Sequence, residues 1–205
     1  MLRLAGRPTS INVRKVVWTL GELGEPFELF DPSLDPNGAQ DLMSLNPIGL
    51  SPVLQDGERL LWESNTICRY LAGKFGRTDL LPANPGDRSE VEKWMDWQAT
   101  NLNSAWVACF MALVRRDPAL VADPGAVQHS QKRWNALNLV LDAHLADTEY
   151  LALDRFTLAD IVIGLSIHRW RETPMPRPPT PCLDRYFTRL RERAPMLAAL
   201  GRGEP

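Results

Sequence analysis

Strand-like segments stop at one place in this 205-residue chain, and that break limits what it can fold into. Before Gly76–Arg88 (GRTDLLPANPGDR), short apolar runs of strand length alternate with helical patterns, and after it only helical patterns occur. The strand runs are Met1–Leu4, Pro26–Phe30, Pro52–Leu54 and Leu60–Trp62. The last two flank QDGER, whose Asp-Gly pair is a favoured hairpin turn. Val13, Val16, Val17, Leu20 and Leu23 repeat at helical spacing, with Gly24 placed to close that helix. Ile67, Tyr70, Leu71 and Phe75 form a second helical stripe. The order β-α-β, a loop or short helix, then β-β-α predicts a small α/β domain over residues 1–76. A linker over 77–88 and an all-α domain over 89–205 follow.

In the second part, residues 89–116 read as one long helix with Val91, Met95, Leu102, Trp106, Cys109, Phe110 and Leu113 on its apolar stripe. Trp94 and Trp97 fall on another face beside Asn101, Ser104, Ala105 and Ala108. Large aromatics on a small, polar face predict an association surface. Residues 126–146 give a further helix through Trp134, Leu137, Leu141 and Leu145, and Leu183–Leu190 a late one. Phe156-Thr-Leu-Ala-Asp-Ile161 is a helix start: Thr157 caps, Asp160 returns the bond, and Phe156 and Ile161 form the staple.

Composition removes several classes of function. The net charge is −2, and no block of five like charges occurs, which argues against nucleic-acid binding. No apolar run is long enough to span a bilayer, and MLRLAGRP lacks the apolar core of a signal peptide. Cys68, Cys109 and Cys182 are odd in number and widely spaced, so neither a disulfide framework nor a metal site is expected, and a cytoplasmic home is.

Three loops carry chemistry. Thr9-Ser-Ile-Asn-Val-Arg-Lys15 leads into the first helix, where Ser and Asn serve as caps or, with free helix amides, as an anion site. In Asn46-Pro-Ile-Gly-Leu-Ser-Pro52, a proline enters a strand, which makes Ser51-Pro52 a candidate cis bond. In Trp62-Glu-Ser-Asn-Thr-Ile67 a strand gives way to a helix, with Ser64 as the expected N-cap. Glu63 supplies an acid for an ammonium while Ser64 and the helix amides take a carboxylate. That combination suits the zwitterionic end of an α-amino acid.

Taken in order, SINVRKV, LNPIGLSPVL, LLWESNTICRYLA, KWMDW and FTLADI resemble the cytosolic glutathione S-transferases, in particular bacterial members with a Ser-x-Asn loop. The resemblance covers nearly the whole chain. It implies an α/β plus all-α architecture, a thioredoxin-like N-terminal domain followed by an all-helical one. It further implies glutathione as co-substrate, no metal, a small electrophile as second substrate, and a homodimer active in detoxification. By this resemblance Ser10 and Asn12 are the catalytic pair at the glutathione sulfur, with Thr9 as a neighbouring hydroxyl. Ser51 and Pro52 meet the cysteinyl backbone, and Glu63 and Ser64 hold the γ-glutamyl end. Asn37, with Gln40 as competitor, lies where a polar side chain meets the glycyl carboxylate. Leu50 stands where the family commonly has a basic residue, a departure that removes one charge from glycyl binding. Trp106 and Phe110 are expected to line the electrophile pocket.

The chemistry implied needs no general base. A free thiol of pKa about 8.5 is mostly protonated at neutral pH, and hydrogen bonds to the thiolate lower that value. His129, His144 and His168 all lie in the helical part, away from every motif. Conjugation is the expected reaction. Glutathione-dependent disulfide or peroxide reduction is the alternative, and a non-catalytic binding module a third reading.

Overall fold

The computed structural model describes residues 1–34 and 38–201, with no side-chain detail for 38–41. In chain order the elements are β1 (Leu2–Ala5), α1 (Ile11–Leu23), β2 (Phe27–Phe30), a 3₁₀ turn (Pro32–Leu34), α2 (Gly38–Leu45), β3 (Val53–Asp56), β4 (Arg59–Trp62) and α3 (Ser64–Lys74). Among the described residues only helices follow: α4 (Pro85–Trp97), a π turn (Gln98–Leu102), α5 (Asn103–Leu113), α6 (Pro118–Val121), α7 (Pro124–His144), α8 (Leu158–Glu172), α9 (Pro181–Arg191) and α10 (Ala194–Leu200). None of the described helices is long and apolar enough to cross a membrane.

The chain divides into two units. One comprises Met1–Ala83 together with the segment from Arg193 onward, and the other Asn84–Glu192. This differs from the division expected from sequence, where everything beyond residue 88 belonged to the helical part. The expected linker is packed: Leu80 and Leu81 are buried, Arg77 donates to Asp79 and to the Glu22 carbonyl, and Asn84 caps α4 through the Gly86 and Asp87 amides.

In the first unit the sheet order is β2-β1-β3-β4. β1 and β2 run parallel through the α1 crossover, β3 is antiparallel to β1, and β4 returns antiparallel to β3. Leu2, Leu4, Val53 and Leu54 from the sheet and Val13, Val16, Leu20, Ile67 and Leu71 from the helices fill its core. Gly24 adopts the left-handed C-cap conformation at the end of α1. α10 packs on α1, and Gly21 permits it: a Cβ there would stand 2.9 Å from Pro195 Cβ. The Glu22 carboxylate locks the contact by accepting from Arg193 Nε (2.8 Å), Arg193 Nη2 (2.6 Å) and Trp18 Nε1 (2.8 Å).

In the helical unit the expected long helix is interrupted. The π turn at 98–102 inserts extra backbone, so the buried stripe continues through Ala105, Cys109, Phe110 and Ala112 rather than Trp106 and Leu113. Gln98, fully buried, donates to Ser166 Oγ at 3.1 Å from this turn. On the face expected for association, Trp94 packs on His144 (centroids 4.7 Å) and edge-on against Trp97 (5.6 Å), both half-buried, while Ala105 is buried.

The capping box at the start of α8 forms with additional partners. Asp160 Oδ2 accepts from the Thr157 amide (2.7 Å) and hydroxyl (3.1 Å), and Oδ1 from the Leu151 amide (3.1 Å) and the Tyr186 hydroxyl (2.8 Å).

Candidate functional site

Strand directions decide where the motifs meet. β1 ends at Ala5, paired with Val53 at the start of β3, and Val53 pairs in turn with Trp62 at the end of β4. The loop after β1, the segment before β3 and the turn after β4 therefore emerge at one end of the sheet. These are the three stretches that hold Ser10 and Asn12, Leu50 to Pro52, and Glu63 and Ser64. Ligand sites of open α/β sheets lie at such an end, where crossovers diverge.

Gly6 shows how closely the first two stretches approach. Its φ is 149°, and a Cβ there would come within 2.9 Å of Ser51 Cβ and 2.5 Å of Val13 Cγ2. No larger residue fits between β1 and Ser51. The Ser51-Pro52 peptide is cis, as its position at the strand entrance predicts. Asn46 shapes the approach to it: its Oδ1 accepts from the Ile48 amide (3.1 Å) and its Nδ2 donates to the Leu50 carbonyl (2.7 Å). Sequence reasoning assigned Asn46 no role, although Asn-Pro is a turn signal. The Leu50 side chain is 64% exposed and offers apolar surface only.

Ser10 occupies the N-cap position of α1 with extended backbone, yet its side chain makes no capping hydrogen bond. Its carbonyl accepts from the Arg14 amide at 2.9 Å, so the helix starts without the hydroxyl. Thr9 and Ser10 are both half-buried. Asn12, in the first turn, accepts from Ser64 Oγ at 3.3 Å through Oδ1. That bond leaves the Asn12 amide N–H₂ as the end able to meet an anion. It also joins two residues 52 positions apart that sequence assigned to the same ligand.

At the third stretch the cap is shifted by one residue from the expectation. Glu63 is the N-cap of α3, and Ser64 is the helix's first residue. Glu63 holds φ 70°, a conformation that costs a non-glycine residue about 1–3 kcal/mol and clusters at functional sites. Its carboxylate makes no capping bond and is exposed at the sheet's end. The first amides of α3 point outward beside it, with the positive end of the helix dipole. An exposed acid next to amides that seek an anion is the arrangement expected for an α-amino acid terminus.

The thiol of the first unit, Cys68, is buried. Burial pushes the Cys68 thiol up to about 11, against the hydrogen bond from Thr19 and the charge of Lys15. Cys109 in the helical unit is likewise raised by burial. Within the helical unit His144 contacts the Leu151 carbonyl (3.0 Å) and His168 stacks on Phe187 (centroids 6.4 Å). Among the described residues no cluster of three His, Cys, Asp or Glu side chains offers a metal site.

Asn37 lies outside the described residues, and Gln40 falls within α2, without side-chain detail. Trp106 and Phe110 meet edge to face (5.3 Å), with the Arg169 guanidinium over both rings at 4.6 and 4.2 Å. Phe110 is 2% exposed, so of the two only Trp106 keeps accessible ring surface.

Comparison with known proteins agrees with this layout. Residues 2–73 match the family described as glutathione S-transferase, N-terminal domain. Glutathione S-transferase GstB of Escherichia coli K12 is 40% identical over 197 residues, spanning 94% of each chain. Glutathione S-transferase 3 of Zea mays is 38% identical over 167 residues, 78% of this chain and 73% of the maize protein. The crystal structure of a theta class glutathione S-transferase from Xanthomonas axonopodis pv. citri with glutathione bound superposes with a TM-score of 0.91 at 32% identity. It covers 100% of this chain and 99% of its own. With the thioredoxin-like sheet, the helical unit and this level of identity across nearly its whole length, the chain belongs to the glutathione S-transferase family.

Proposed function

We propose that this transferase conjugates glutathione to a small electrophile, holding the peptide at the sheet end described above. The carrying observation is Ser10: a hydroxyl at a helix N-terminus that takes no part in capping that helix. There it donates to the glutathione sulfur, with the Asn12 amide beside it. Glu63 takes the γ-glutamyl ammonium, and Ser64 with the first amides of α3 takes the neighbouring carboxylate. The Ser51 backbone next to the cis bond pairs with the cysteinyl residue. Leu50 offers no charge to the glycyl carboxylate. Trp106 supplies aromatic surface to the electrophile. In a displacement the thiolate forms the new C–S bond, and the leaving group departs with its electron pair.

A charge-assisted bond contributes roughly 1.5–3 kcal/mol, and 1.36 kcal/mol corresponds to one pKa unit. Ser10→Ala should therefore raise the pKa of the bound thiol by about one to two units and lower kcat at neutral pH about tenfold or more. Glutathione binding should change little. Ultraviolet titration of the thiolate in the binary complex is the measurement. An unchanged titration in Ser10→Ala, with a shift in Asn12→Ala, would exchange the two roles.

We further infer a homodimer. Met43, Ile48, Leu50, Leu60 and Trp62 of the first unit are exposed apolar side chains from α2, the loop after it and the edge strand β4. Exposed apolar surface of that kind is typical of subunit contacts. Sedimentation at micromolar concentration should give twice the 23.1 kDa chain mass, and a monomer would refute the assignment.

A further inference from the structure

Lys15 and Asn65 are two buried polar residues that none of the roles above uses. Lys15 is 2% exposed and stands one turn beyond Asn12 on the same face of α1. Asn65 is 8% exposed and follows Ser64 in the first turn of α3. Lys15 Nζ donates to Asn65 Oδ1 at 3.1 Å, alongside the 3.3 Å bond from Ser64 Oγ to Asn12 Oδ1. Two bonds thus join the first two turns of α1 to the first turn of α3. Deeper between the helices, Thr19 Oγ1 lies 2.8 Å from the Lys15 carbonyl and 3.2 Å from Cys68 Sγ, which continues the same seam.

Helix packing alone does not call for this pair. Taking an ammonium out of water is costly, and apolar residues of similar volume commonly serve a buried contact as well or better. What the polar pair adds is direction. Accepting from Lys15 settles which way the Asn65 amide is turned, and seats the first turn of α3 at one register against α1.

We propose that Lys15 is a positioning residue for glutathione, acting through Asn65. It holds Ser64 against Asn12 so that the γ-glutamyl and sulfur ends meet one rigid surface. This rests on the assignment of Ser64 and Asn12 to the peptide. Preorganisation of this kind lowers the ordering cost of binding. Its loss should therefore appear in the affinity for glutathione before it appears in turnover.

Steady-state kinetics with an aryl halide as second substrate test the proposal. Lys15→Met and Asn65→Ala should each raise the glutathione KM about fivefold or more, with kcat and the aryl halide KM within about twofold of the parent. The double variant should be no worse than the more impaired single one, because both changes break the same link. Asn65→Asp keeps an acceptor for Lys15 and should stay within about threefold of the parent KM. A parental glutathione KM in Lys15→Met overturns the proposal, as does multiplication of the two effects in the double variant. Asn65→Asp as impaired as Asn65→Ala also overturns it, since the amide itself would then be the contact. Should Lys15→Met fail to fold by circular dichroism, the Asn65→Ala and Asn65→Asp pair decides alone. Ser64→Ala is the control: a parental KM there removes the site assignment, whereas a raised KM there with a parental one in Lys15→Met removes only the role of Lys15.

Discussion

Replacing Asp160 with alanine should lower the melting temperature by roughly 10 °C or more. The carboxylate is fully buried and accepts four hydrogen bonds: two from Thr157, one from the Leu151 amide and one from the Tyr186 hydroxyl. Its removal strands buried donors at about 1–3 kcal/mol each, so a total near 4 kcal/mol is expected. At roughly 2–4 °C per kcal/mol for a protein of this size, the shift is easily read by thermal circular dichroism. A change below about 3 °C would mean that water or repacking satisfies these groups.

The same residue gives a pH dependence of defined sign. Burial pushes the Asp160 carboxyl up to about 6, while its four donors pull the other way. Because this lies above the unfolded value of about 3.9, the folded chain holds the proton more tightly between about pH 4 and 6. The contribution of Asp160 to stability thus falls as pH rises through that window and levels off above it. Urea unfolding of the parent and Asp160→Asn should show the gap between them narrowing from pH 5 to pH 7.5. A widening gap would contradict the raised value.

Glu22→Ala is the counterpart in the first unit. The Glu22 side chain is 6% exposed and pairs with both Arg193 Nε and Nη2, while Trp18 Nε1 uses the same carboxylate. Stranding the buried indole N–H costs about 1–3 kcal/mol, and the arginine pair adds less because Arg193 is one-third exposed. A loss of about 3 kcal/mol is expected, together with faster hydrogen exchange across 194–200 as α10 detaches. Protection of those amides unchanged from the parent would show that Pro195 seated at Gly21 and the burial of Met196 and Leu200 hold α10 without the carboxylate.

Most of the first unit was legible in the sequence because short alternating runs, an Asp-Gly turn and a helix-closing Gly24 are local signals. The Thr157–Asp160 box was legible for the same reason, though its tie to Tyr186 is a long-range contact that no spacing reveals. The interruption at 98–102 was not. A helical stripe reads nearly the same with or without one inserted residue, and Gln98, a polar side chain in the core, gave no apolar mark. The contact of Trp94 with His144, far along the chain, was likewise invisible, since no spacing pairs the two rings. At the site, the three loops were visible as caps and turns. What sequence lacked was the exchange of partners between them: Ser64 bonds Asn12, Ser10 caps nothing, and the strained residue is Glu63. Lys15 was invisible because a lysine at helical spacing reads as solvent-facing until Asn65 is seen opposite it.

The return of α10 to the first unit has a consequence for the order of assembly. The ribosome delivers β1 through α3 first, but the strip of α1 that α10 covers stays bare while the whole helical unit is made. Until Arg193 emerges, the Glu22 carboxylate has only the Trp18 indole and water for company. The half that carries the candidate site is therefore closed last, and the helical half, contiguous in sequence, can be complete while its predecessor still waits. A nascent chain halted before residue 193 would hold the site's residues on an unfinished scaffold.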